Sequence, residues 1–330
     1  MTWLVWRQYR AQGAIAAALL AAIAAVLLAD GFQIASHWHS MLVACSGKSA
    51  CLQQQPSLAS TTVVNNTFLL GLVVPGMLGV LWGAPLVAHE LESRTSDFAW
   101  AQSVTRTRWL AVKISWLLLA AAACGGAIAF LVTWWSGPEN ALKADAFAPL
   151  QFDTQGIVPI GYAVFAMALG ITAGTVVRRT LPAIAITLGG FIALRLIIED
   201  FLRPHYMAAV TTYYNVTGSF TPPGQAWVFT QSAISRTGQV VPQGWGTLYA
   251  ALPAACKKVF SQNADPTGKG GGSSMNAVFS CMQAHGWRGF VTYQPASRYW
   301  PFQGIETGIY LLLAAALIAV TFVIVRRRDA

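Results

Sequence analysis

Six stretches of this chain, roughly residues 11–29, 68–88, 109–135, 156–177, 181–198 and 307–325, each run 18 residues or more with almost no charge. About 20 apolar residues rising about 1.5 Å each cross the hydrocarbon core of a bilayer. Backbone placed there must satisfy its own hydrogen bonds, so each run predicts a transmembrane helix. The expected fold is therefore an all-α integral membrane protein with six transmembrane helices. Composition points the same way: 55% of residues are hydrophobic and 10% charged, against about 25% charged in soluble domains.

The net charge of +9 would suggest a nucleic-acid partner in a soluble chain. Here the basic residues cluster at the ends of apolar runs, which is a topology signal, and no nucleic acid is expected. Placing both termini in the cytoplasm puts Arg7, Arg10, Arg94, Arg106, Arg108, Lys113, Arg178, Arg179, Arg326, Arg327 and Arg328 inside, in short loops or tails. Most remaining basic residues then fall in one long outer loop, where charge has little influence on orientation. The first run follows Arg7 and Arg10 and exceeds a signal peptide's apolar core, so it is read as an uncleaved first helix, a cleaved leader being the alternative.

Three regions follow. Residues 1–198 hold helices 1–5, with an N-terminal interfacial segment (Trp3, Leu4, Trp6, Arg7, Tyr9, Arg10) and a cytoplasmic loop at 89–108. Residues 199–304 form an extracytoplasmic α+β cap between helices 5 and 6, with β-type runs at Ala226–Phe229 and Gly289–Tyr293. Residues 305–330 are helix 6 and a basic cytoplasmic tail. A first outer loop, 30–67, is polar and without strong period.

Cys45 and Cys51 fall in the first outer loop and Cys256 and Cys281 in the cap, leaving Cys124 inside helix 3. In an oxidising compartment the pairs Cys45–Cys51 and Cys256–Cys281 are expected, with other pairings or free thiols as alternatives. No metal site is expected from these spacings. His37 and His39 could share one face of a strand and bind a metal, but nothing in their surroundings demands it.

Within the spans, ionisable residues are scarce. Arg195 and Glu199, one helical turn apart near the outer interface, are expected to neutralise each other, with Glu306 as a second candidate partner. The competing reading is a substrate or proton site. With so little buried charge expected elsewhere, an ion-driven carrier is disfavoured. Gly79 and Gly83 in helix 2, and Gly170 and Gly174 in helix 4, stand at the four-residue spacing that lets helix backbones approach closely.

Nucleotide hydrolysis by this chain is not expected. Gly268–Lys269 lacks the P-loop frame, with Asn263 and Gly270 where Gly and Ser or Thr are needed. His89–Glu90 does not continue as a zinc-protease motif, because Ser93 holds the second His position. An uncharged bundle without its own energy source, carrying a polar insert from His89 to Lys113 at the inner face, implies a partner that supplies the energy.

That insert carries a resemblance. Glu90-Leu91-Glu92-Ser93-Arg94-Thr95, then Ala99 to Trp109 and Lys113, resembles the first cytoplasmic loop of ABC-2 type ABC transporter permeases in their actinobacterial form. Pro295 to Glu306, leading into the last helix and Arg326-Arg327-Arg328, is similar to the same subgroup. The resemblance implies a permease subunit of the bacterial plasma membrane, multi-pass, paired with a second permease copy as homodimer or paralogous heterodimer. It implies two copies of a separate ATPase subunit that hold ATP and Mg, this chain having no cofactor of its own. By position, Glu90, Glu92, Thr95, Gln102, Arg106 and Arg108 would form or frame the contact with that ATPase; the plainer reading is that they solvate a loop. The expected function is ATP-driven export of a hydrophobic or amphipathic substrate (drug, lipid or peptide), the apolar spans having nothing to hold a polar solute. The alternatives are an ATPase-coupled sensor that moves no solute, and a membrane enzyme using His37, His39, His205 and His285.

Overall fold

The computed structural model describes residues 2–45, 73–85, 106–142, 146–216, 226–241, 245–263 and 273–327. Two units divide it, one from Met1–Tyr206 with Tyr299–Ala330 and one from Met207–Arg298. In chain order the first unit gives α1 (Thr2–Ala44), α2 (Val73–Gly83), α3 (Arg106–Leu142), α4 (Pro149–Thr154), α5 (Val158–Val177) and α6 (Thr180–Ile197). The second gives β1 (Val210–Asn215), β2 (Trp227–Ile234), β3 (Val240–Val241), α7 (Trp245–Ala251), α8 (Ala254–Asn263), α9 (Ser273–Ala284) and β4 (Arg288–Gln294). The chain then returns to the first unit as α10 (Tyr299–Arg327).

Among the described residues five helices are long and apolar enough to cross a membrane: Ala21–Ala44, Leu110–Gly137, Val158–Val177, Thr180–His205 and Ala296–Arg327. The run expected at 68–88 is present as the shorter α2, its flanks lying outside the described residues. Helix ends differ from the apolar runs. α1 does not stop at residue 29 but runs 43 residues, about 65 Å at 1.5 Å per residue. Along its polar stretch hydroxyls fold back on the helix: Ser36 donates to the Gln33 carbonyl at 2.8 Å and Ser40 to the His37 carbonyl at 2.7 Å. The loop expected from residue 30 is therefore helix as far as Ala44.

α6 likewise continues through a π turn, Ile198–Leu202, and a 3-10 turn, Arg203–His205, and α10 begins at Tyr299. Residues 199–206 and 299–304, expected in the cap, thus belong to the helical unit.

α5 is the hub. Of its span 72% is buried, against 17–33% for the other four candidates, and it packs on α2, α3, α6 and α10. Without a water-driven force between helices in lipid, close van der Waals packing holds them, and small residues permit it. A Cβ at Gly79 would fall on the Ala166 carbonyl, and one at Gly83 would lie 2.9 Å from the Met167 oxygen. On the facing side, a Cβ at Gly170 would come within 2.8 Å of the Ala84 nitrogen. Around this seam Leu78, Leu110, Ile114, Leu117, Ala163, Met167 and Ile171 make one core, joined by Ile318 and Phe322 of α10. A second core, Leu27 and Ile34 against Ile128, Val132 and Trp135, ties α1 to α3.

α5 ends in a left-handed residue, Arg178 (φ 56), whose N–H returns to the Gly174 carbonyl at 3.0 Å. The αL cap and the two residues Arg178–Arg179 turn the chain straight into α6, making the two helices antiparallel neighbours.

The second unit is built on an antiparallel sheet of order β1-β4-β2-β3. Both expected β-type runs are strands, β2 and β4, paired with a register shift between Val228 and Thr230. Leu252, just past α7, joins Cys256 of α8 and Val278 and Met282 of α9 in a core that closes on Val241 and Trp287. A disulfide between Cys256 and Cys281 joins α8 to α9.

Candidate functional site

Where α4, α5, α6 and α10 meet, four charged side chains are buried together: Asp153 at 1% exposure, Arg203 at 1%, Glu306 at 0% and Arg195 at 7%. Their charges sum to zero. Isolated, each would cost several kcal/mol to take out of water, so pairing is a condition of their burial.

The pairing is nearly complete. Arg203 grips Glu306 with two donors, Nε to Oε2 at 2.9 Å and Nη2 to Oε1 at 2.7 Å, and its Nη2 also meets Asp153 Oδ1. Arg195 Nη2 takes the other oxygen, Asp153 Oδ2. The Tyr162 hydroxyl sits between the two acids, 2.6 Å from Glu306 Oε1 and 3.0 Å from Asp153 Oδ1, and has one proton to serve both. Tyr206 donates to Glu306 Oε2 at 3.3 Å; burial first, then the facing carboxylate, hold its phenol above its ordinary value.

Aromatic rings close the cluster. The Arg203 guanidinium lies 4.4 Å from the Phe152 ring centre and that of Arg195 4.7 Å from Tyr162, both within cation–π range. Phe147 stacks on Phe152 and meets Phe302 edge-on.

Gln303, one turn before Glu306, fixes the start of α5. Its Oε1 accepts the N–H groups of Ile157 and Val158, both at 3.0 Å, while its Nε2 donates to the Phe152 carbonyl at 2.8 Å. Those N–H groups have no partner inside their own helix, so a side chain from α10 caps α5. Gly156, at φ 70, makes the turn into it; a Cβ there would lie 2.6 Å from Gln303 Oε1.

This corrects the expected ion pair. Arg195 binds Asp153, 42 residues away, and Glu306 is held by Arg203, while Glu199 makes no ion pair among the described residues. The physical reason is the π turn from Ile198, which carries Glu199 out of the regular helical register with Arg195. Asp153 and Arg203, read as loop residues, proved to be central. No local pattern marked either one, since Asp153 stands between apolar runs and Arg203 past the end of the fifth. The premise of almost no buried charge is also overturned, although every charge in the cluster is matched.

Beside the cluster, between α2, α4 and α6, lies a cavity of about 420 Å³. Met77, Leu150, Leu188, Phe191, Ile192 and Leu196 are among its walls, with Asp153, Arg195 and Glu199 as its polar members.

Of the residues placed by resemblance on the ATPase contact, Glu90, Glu92, Thr95 and Gln102 lie outside the described residues, and Arg106 begins α3 with Arg108 exposed two residues on. Lys113, expected as part of the basic close of that loop, is instead 2% exposed, on the α3 face that also carries Leu110 and Leu117. Cys45 is disulfide-bonded, and its expected partner Cys51 lies outside the described residues.

His37 and His39 stand on a helix, not a strand, and both are exposed. Two positions apart on a helix, they point to nearly opposite sides and cannot share an ion. Among the described residues the grouping with metal-like spacing is Cys256, Cys281 and His285. There the two sulfurs are bonded to each other and supply no thiolate.

No curated protein and no solved structure matches the chain. The family model for ABC-2 membrane transporter related proteins matches residues 17–203, from within α1 to Arg203 of the buried cluster. That covers more than half of the 330 residues. A multi-pass membrane permease that works with an ABC ATPase is what this family implies, and the chain belongs to the ABC-2 membrane transporter related family.

Proposed function

We propose that this chain is the translocating half of an ATP-driven exporter in a bacterial plasma membrane, moving a hydrophobic or amphipathic substrate. It works as a pair, with itself or a paralogue, on two ATPase subunits that carry ATP and Mg; the chain itself hydrolyses nothing. Both termini face the cytoplasm, and the Met207–Arg298 unit faces out. The observation that carries the reading is the family match, which runs through the polar segment 89–108 between α2 and α3. In that segment Glu90, Glu92, Thr95, Gln102, Arg106 and Arg108 receive the push of ATP-driven closure as a rigid-body displacement. The cavity beside α6, mostly apolar, agrees with a substrate of low polarity.

The test is co-purification with the ATPase encoded beside it and turnover in lipid nanodiscs, comparing wild type with Glu92→Ala and Arg106→Ala. A stable complex whose turnover is uncoupled by both changes is the expected result; failure of any ATPase to associate would overturn the reading.

A second reading, a sensor in which ATP use rearranges the outer unit, is favoured by that unit's own core and disulfide. Photocrosslinking a candidate substrate separates the two, since transport labels the helices and sensing labels Met207–Arg298 alone.

A further inference from the structure

Helix α9 ends in a turn that sets an imidazole against the disulfide of the Met207–Arg298 unit. Gly286, at φ 78, returns its N–H to the Gln283 carbonyl at 2.9 Å, and Trp287 returns its own to Met282 at 3.0 Å. This is the pairing of a Schellman cap, and it holds His285 at the last position of the helix. From there Nδ1 lies 3.7 Å from Cys256 Sγ and 3.9 Å from Cys281 Sγ. The same nitrogen is 2.9 Å from the Cys281 carbonyl, and a carbonyl only accepts, so Nδ1 carries the proton. A protonated Nδ1 is no metal ligand; it is a donor beside two sulfurs.

The two ends of the bridge are not alike. Cys256 is 0% exposed, whereas Cys281 is half-buried and His285 exposed. Thiol–disulfide exchange starts when a thiolate reaches one sulfur from solvent, which makes Cys281 the sulfur attacked and Cys256 the one expelled. A sulfur leaves faster where a donor or a cation meets its developing charge. Nδ1 stands nearer to Cys256, the leaving sulfur.

The approach is basic. From Met207 to Arg298 the sequence holds six Lys or Arg against one acid, Asp265. Arg236 lies at the site: its Cβ, Cγ and Cδ are within 3.4 Å of where a Cβ on Gly286 would stand. Arg288, three residues after His285, starts β4, and both arginines are exposed. An incoming anion is drawn to such a surface.

We propose that Cys281 is a thiolation site for a small anionic thiol. The thiolate sulfur bonds to Cys281 Sγ, the Cys256–Cys281 bond breaks, and its electron pair goes to Cys256 Sγ. His285 gives that sulfur its Nδ1 proton, while its Nε2 takes from solvent the proton that the thiol lost. Thiol and disulfide thereby become mixed disulfide and thiol, with no outside oxidant or reductant. The link between α8 and α9 opens, and Cys281 carries the anion. None of this depends on transport or on the ATPase.

The experiment exposes the oxidised full chain in nanodiscs to 3-mercaptopropionate, and in parallel to cysteamine, a cationic thiol of similar size. Free thiols are alkylated at intervals and the peptides weighed by mass spectrometry. In the wild type the mixed disulfide is expected on Cys281 and the alkyl group on Cys256. His285→Leu should slow exchange at least about tenfold without moving it to the other sulfur, the low end of what a positioned proton donor supplies. Arg236→Gln should lower the rate with mercaptopropionate relative to cysteamine by about threefold at low ionic strength, an effect that salt erases. The ratio between the two thiols cancels any general loosening of the fold, and the wild-type chain alone decides which sulfur is attacked. No mixed disulfide in the wild type, one carried by Cys256, an unchanged rate in His285→Leu, or a thiol ratio that Arg236→Gln leaves unaltered overturns the proposal.

Discussion

Arg203 and Glu306, 103 residues apart, meet side-on through two N–H···O bonds, Nε to Oε2 and Nη2 to Oε1. Between them the chain leaves the helical unit after Tyr206, forms the whole Met207–Arg298 unit, and returns at Tyr299. The pair is therefore a clamp across the two stems of that insertion.

Replacing one side of the clamp should be worse than replacing both. Glu306→Gln leaves the 1%-exposed Arg203 sharing Asp153 with Arg195, and a loss of about 3–5 kcal/mol is expected, the usual result of orphaning a buried charge. Arg203→Met with Glu306→Gln should recover part of that loss. Thermal unfolding of the detergent-solubilised chain, followed by size-exclusion chromatography, reads both; additive losses would show that the two side chains do not act as a pair.

Tyr162→Phe removes the hydroxyl between Asp153 and Glu306 without changing volume much. A loss of about 1–3 kcal/mol is expected, because the two buried carboxylates lose the one O–H donor they share. Equal melting of mutant and wild type would mean that the arginines alone satisfy both acids.

Gly170→Ala places a methyl group where the backbones of Gly79 and Ala84 already stand, and should lower the melting temperature. Gly189→Ala, on α6 with nothing within 4 Å of the added carbon, is the matched control and should be neutral or slightly stabilising. If both behave alike, close approach at the α2–α5 seam is not what holds α2 in place.

Cys256→Ser with Cys281→Ser opens a loop with a sequence separation of 25. By loop entropy the bridge is worth about 3 kcal/mol to the Met207–Arg298 unit. Limited proteolysis should cut that unit faster while α5 and α10 stay intact; unchanged cleavage would mean that its core holds without the bridge.

How much of this was visible in sequence depends on the range of the interaction. The helices announced themselves because lipid demands long apolar runs, and Gly79, Gly83 and Gly170 stood at a spacing that permits close packing, although a chain this rich in Gly and Ala makes many such pairs by chance. Helix ends were not readable. Hydropathy marks where a helix leaves the hydrocarbon, while the backbone of α1 stays helical to Ala44 and that of α6 goes on through the turns after Ile197. The ionic cluster was half visible: Arg195 stood out inside an apolar run and Glu306 at the start of another, but Asp153 lay in a connecting segment and Arg203 at the rim of a long loop. Their partners are 42 to 103 residues away, a distance that no local pattern spans.

The distance between Arg203 and Glu306 also sets an order of events at the ribosome. With synthesis at about 5–20 residues per second, Glu306 follows Arg203 by roughly 5–20 s. Through that interval the nascent chain holds two arginines against one aspartate, and α5 lacks the side chain that caps its first turn. Closure of the bundle thus waits on the last helix to be made. A chain released before Glu306 is made carries an uncompensated cation in its membrane domain.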